Sequence, residues 1–167
     1  MTAHAALLVF LFLMTLAAVS DVMGYVIPNW ISAALALAFP IAAAAVGLGW
    51  AASGIHLLVG LAALALGMAL WAPGLIGGGD AKLFAAGALW FGWPGAANFI
   101  AATVFAGGIF ILLLLLLRRL APVSPLPEGW IANTPLAPGA PAPYGVALAC
   151  GAMWALPFSP FFAFVQS

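Results

Sequence analysis

Before Arg118 the chain carries only three charged side chains, Asp21, Asp80 and Lys82, so one apolar segment follows another with little but glycine, proline and tryptophan between them. A water-soluble core in a chain of 167 residues has no room for so much apolar surface. Lipid-embedded helices do. The hydrocarbon layer is about 30 Å thick, and a helix of about 20 apolar residues crosses it with its backbone groups paired internally. The expected fold is therefore all-α, a single polytopic membrane helix bundle over 1–167. Its six spans are expected near residues 3–20, 31–51, 54–71, 80–93, 96–117 and 144–162. The fourth is short, running from Asp80 to Trp93-Pro94-Gly95, and a short span needs neighbouring protein or a wet cavity around it. The first is read as a retained span because MTAHAALL lacks the basic start of a secretory signal.

Composition removes several classes of function. The chain is 68% hydrophobic and 4% charged with zero formal net charge, so no basic surface exists to neutralise phosphates, and no nucleic-acid partner is expected. The lone Cys150 cannot form an internal disulfide or a multi-thiolate zinc site, and is expected to pack as a small hydrophobe. No His-Glu-x-x-His run is present, and neither a metal nor another cofactor is expected. Ser53 and His56 lack a third partner for serine-hydrolase chemistry, so ordinary packing is the reading for His56.

Alternating the connections across the bilayer puts residues 21–30, 72–80 and 118–143 on one side. Arg118, Arg119 and Glu128 then lie there, Asp21 and Asp80 border it, and Lys82 is within a turn of it. The positive-inside rule makes that side cytoplasmic and both termini external. Trp30, Trp50, Trp71, Trp90 and Trp93 fall near span ends, as an aromatic belt requires. The proline-rich stretch within 118–143 is expected to be an extended cytoplasmic linker. Gly47, Gly49, Gly60, Gly67, Gly107 and Gly108 are assigned to close helix packing.

An ionisable group in a bilayer costs roughly 2.5–3.5 kcal/mol on insertion scales, so it persists where it is paired or does chemistry. Asp21 and Asp80 return to one membrane edge and can form a dyad. Two carboxylates sharing a proton hydrolyse an amide by drawing a proton from water while polarising the carbonyl, and the pair titrates as a unit. The alternative readings are an interfacial or helix-ending Asp21 and an N-capping Asp80. Gly77, Gly78 and Gly79 are expected to adopt positive φ and to let a substrate backbone approach. Lys82 is either a cation supporting the site or an inside-facing anchor, and Pro28 and Asn29 shape the turn after the first acid.

These residues carry a resemblance. GGGDAK at residues 77–82 resembles the Gly-x-Gly-Asp motif of the type IV prepilin peptidases, and Asp21 with Ile27-Pro28-Asn29 is similar to their first catalytic motif. Pro143-Tyr144-Gly145-Val146-Ala147 is similar to a proline-aromatic-glycine element of that family. The resemblance implies that Asp21 and Asp80 are catalytic. It also implies cleavage after a glycine of the basic leader of prepilin or pseudopilin precursors, at the cytoplasmic face of the inner membrane. The family's long members carry Cys-x-x-Cys motifs and N-methylate the product. With one cysteine, this chain resembles the short peptidase-only branch of tight-adherence or Flp pilus systems, and no N-methyltransferase domain is expected. Archaeal preflagellin peptidases share the dyad logic. Outside this class, acids in membrane helices also relay protons or ions in transporters, and an assembly protein without catalysis would tolerate loss of both.

Overall fold

The computed structural model describes residues 2–121, 131, 134–137 and 139–166; Glu128 and most of the proline-rich linker lie outside the described residues. Among the described residues every regular element is helical: α1 (Ala3–Gly24), α2 (Asn29–Ala45), α3 (Trp50–Trp71), α4 (Gly78–Leu120), α5 (Tyr144–Ala155) and α6 (Pro160–Gln166), with a 3₁₀ turn at Leu156–Phe158 between the last two. Three of them, α1, α3 and α4, are long and apolar enough to cross a membrane, and α2 and α5 are shorter apolar helices. The molecule is an all-α membrane bundle.

The long α4 is two arms. Gly92 (φ 58°, ψ −159°) and Trp93 (φ −109°, ψ 134°) are non-helical, and the chain reverses there. Phe84 and Phe99 show the reversal: an unbroken helix would put residues this far apart in sequence roughly 22 Å from one another. Their rings instead stack with centroids 5.7 Å apart, and Phe91 stacks on Phe99 at 4.9 Å. The two arms are residues 78–91 and 94–120. The first arm is the centre of the bundle: Leu83, Ala88, Trp90 and Phe91 are buried, with α3, α5 and α2 packed around them. Small residues let backbones approach here. A Cβ on Gly67 would meet Ala81 at 3.0 Å, and one on Gly60 would meet Leu89 at 3.2 Å.

Several expectations are corrected by the backbone. Helix α1 runs past Ser20 to Gly24, ending at Tyr25 in the left-handed region, so Asp21 sits on its last turn and not in a loop. Helix α2 stops at Ala45, and Gly47 (φ +72°) terminates it; neither Gly47, Gly49 nor Gly108 has a neighbour within 4 Å of a built Cβ. The last apolar segment is broken at Leu156–Phe158, where Pro157 and Pro160 remove backbone donors. Trp30, Trp50, Trp71 and Trp93 are exposed, but Trp90 belongs to the core, its Nε1 donating to the Leu35 carbonyl at 2.9 Å.

The arm break has a polar cost that side chains offset. A helix that stops leaves its last carbonyls without i+4 donors, and Pro94 has no N–H to offer the Trp90 carbonyl. His56 Nδ1 donates to the Leu89 carbonyl at 2.7 Å, and Ser159 Oγ to the Trp90 carbonyl at 3.1 Å. His56 stacks on Phe39 and meets Phe161 edge-on, while Ser53 Oγ faces the Leu48 carbonyl. His56 therefore serves packing and backbone satisfaction, not a hydrolase triad. Replacing Ser159 with Ala should leave the Trp90 carbonyl unpaired and cost about 1–3 kcal/mol in reversible unfolding from detergent micelles. A loss below a few tenths would show that the bond carries nothing.

Candidate active site

Three segments converge at the bundle end opposite the arm break: the last turn of α1 with residues 25–28, the start of α4, and the start of α5. Asp21 is 6% exposed, and its Oδ2 accepts the Gly145 backbone N–H at 2.6 Å. A carboxylate on the last turn of α1 faces the negative end of that helix, a poor location for an anion. The first turn of α5 supplies the compensation, because its N–H groups point outward and carry partial positive charge. Glycine at 145 is what permits the approach: a Cβ there would lie 3.0 Å from both the Asp21 Cβ and Oδ2.

Asp80 is in the first turn of α4, where the helix dipole favours an acid, and its Oδ2 accepts the Gly77 N–H at 3.1 Å. Its Oδ1 is buried without a hydrogen-bond partner. The two acids share a cavity of about 210 Å³, lined also by Tyr25, Val26, Ile27 and the three glycines. The glycine run works differently from expectation. None of Gly77, Gly78 and Gly79 has positive φ; the run is close-packed instead. A Cβ on Gly77 would come within 2.7 Å of Asp80 Oδ2, and one on Gly79 within 3.1 Å of the Ile27 Cβ. The absent side chains thus let the Asp80 carboxylate fold back onto Gly77 and let the turn after the first acid press against Gly79.

Lys82 does not pair with either acid. Its Nζ donates to Asn29 Oδ1 at 2.8 Å, a clasp between the first turns of α4 and α2, with Pro28 fixing the residue before α2. Two residues escaped sequence reasoning. Gly145 lies in a recognisable motif, but nothing in its spacing announces a bond to Asp21. Arg118 donates to the carbonyls of Pro135, Ala140 and Pro141 at 2.8, 2.7 and 3.1 Å, tying the end of α4 to the chain that enters α5.

Beside this cavity an apolar groove of about 380 Å³ opens between α3, the second arm of α4 and α5. Asp80 lines both spaces, and Leu66, Phe84, Ile100, Val104 and Leu148 make most of the groove's wall. Among the described residues no cluster of three or more His, Cys, Asp or Glu side chains could hold a metal ion. The arrangement puts two acids on one small cavity, with an apolar groove beside the second.

No curated protein and no solved structure matches the chain. A family model does, over residues 8–112, a stretch that contains both acids, the glycine run and most of the helical hairpin but ends before α5. That match covers well over half of the sequence, and with it this chain belongs to the type IV leader peptidase family.

Proposed function

We propose that this membrane peptidase is an aspartic endopeptidase that removes the basic leader from type IV prepilin or pseudopilin precursors at the cytoplasmic face of the inner membrane, with Asp21 and Asp80 as its catalytic pair. The observation that carries the reading is the shared cavity: the only two acids before Lys82, distant in sequence, face one space at one end of the bundle. A shared proton lets the pair draw a proton from water and polarise the scissile carbonyl together, and the roles belong to the pair. Attack forms a tetrahedral centre; return of the proton to the amide nitrogen releases the leader and the new amino terminus. Peptidase-only chemistry, as in the Flp-type branch, needs nothing beyond water and these carboxylates.

The groove beside Asp80 gives the precursor's apolar helix a place to lie while its leader stays outside the hydrocarbon. Gly77, Gly78 and Gly79 shape the cavity, and Asn29, Pro28 and Lys82 hold the turn against it. The test is cleavage of a purified precursor carrying a basic leader and an apolar helix by the purified protein. Mass spectrometry should find one cut, at the leader's end. Absence of a cut, or a cut inside the apolar helix, would overturn the assignment.

Arg118 has a place in this scheme without touching the cavity. Its three carbonyl bonds fix the segment that presents Gly145 to Asp21, so Arg118→Ala should misplace the acid and lower kcat about tenfold or more, with little change in KM. Unchanged kcat would mean that α5 holds its position unaided.

A further inference from the structure

On the other side of the first α4 arm, α2 and α3 diverge, both packing on α4 and leaving a groove of about 360 Å³ between them. Its interior is apolar, with Ala36 from α2, Leu61 and Leu64 from α3, and Ala86 and Leu89 from α4. Polar groups occur at one end only. Lys82 and Asn29 stand at the mouth, and Ser32 lies one helical turn further in, roughly 4–5 Å deeper along α2. Among the described residues no carboxylate pairs with Lys82. Its ammonium has three donors and spends one on Asn29. Ser32 is 6% exposed, and its Oγ has no partner, a costly state for a hydroxyl facing an apolar space.

A cation, then a buried donor, then an apolar trough is the order in which a phospholipid presents phosphate, ester carbonyl and acyl chain. We infer that the groove between α2 and α3 binds one anionic phospholipid, with its phosphate on Lys82, an ester carbonyl accepting from Ser32 Oγ, and an acyl chain along Leu61, Leu64 and Leu89. A precursor helix fits this groove poorly: neither acid lines it, and Lys82 would repel a basic leader. The bound lipid would brace α2 against α4 beside the Lys82–Asn29 clasp.

The test needs no peptidase activity. Delipidated full-length protein is titrated with phosphatidylglycerol or phosphatidylcholine, and bound lipid is counted by native mass spectrometry. One phosphatidylglycerol should be held about fivefold more tightly than phosphatidylcholine, the effect of one lysine near an anionic headgroup. Lys82→Met should remove that preference and Lys82→Arg keep it, while Arg119→Met, at an exposed cation away from the groove, should leave it intact. Ala36→Trp should fill the groove and reduce retention of both lipids. Equal binding of the two lipids by the wild type would overturn the inference, as would an Arg119→Met effect equal to that of Lys82→Met. Undiminished retention in a folded Ala36→Trp protein would do the same; should that variant fail to accumulate, the Lys82 pair still decides.

Discussion

Asparagine in place of Asp21, or of Asp80, is expected to abolish leader cleavage while the protein still inserts and folds. Asn matches Asp in shape and keeps an oxygen that can accept the Gly145 or Gly77 N–H, so the local hydrogen bonds survive. It cannot exchange a proton, and proton transfer by a positioned side chain contributes typically about 10²–10⁴-fold to rate. With the two acids acting as the proposed unit, the double variant should be little worse than either single one. The measurement is conversion of a co-expressed precursor on a gel, beside thermal unfolding of each purified variant. Substantial processing by either single variant would remove the dyad and leave the acids as interfacial caps. If instead the Asp80→Asn protein cleaved normally but altered ion or solute flux, the transporter reading would take its place.

The second large effect falls at the other end of the bundle and concerns stability. Gly92 has φ 58° and ψ −159°, a region open essentially only to glycine and costing roughly 1–3 kcal/mol for other residues. A Cβ there would also overlap the His56 ring, and overpacking a rigid core costs typically about 1–3 kcal/mol. Gly92→Ala should therefore destabilise the protein by about 2–6 kcal/mol in detergent unfolding. Adding His56→Ala would open space for the methyl but strip the Leu89 carbonyl of its donor, so recovery should be partial. A Gly92→Ala protein within about 0.5 kcal/mol of wild type would show that the reversal between the arms tolerates another backbone path.

How much of this can be read from the chain differs between the two ends. Near the acids, scarcity is the signal: in a sequence with six charged residues, an Asp beside three glycines and another before Ile-Pro-Asn stand out without any coordinates. Lys82 is visible for the same reason, but its partner is not, because a flexible four-carbon side chain can reach either a carboxylate or an amide, and it takes Asn29. At the far end the pattern is silent. Trp90 resembles the belt tryptophans on either side of it, and only the packing of Phe10, Phe39 and Phe161 around its ring makes it a core residue.

By itself the sequence determines that the chain lives in lipid as a bundle of helices, and it singles out two acids as candidates for chemistry. Those follow from transfer free energy and backbone satisfaction, which act on each segment separately. The tertiary structure alone decides that Asp21 ends a helix and is met by the start of α5, that the glycines serve contact and not positive φ, and that His56 and Ser159 repair a broken helix. In a uniformly apolar chain, periodicity does not tell one helix face from another, so pairing between distant segments is set by shape and by a few buried hydrogen bonds. Neither leaves a mark in local sequence.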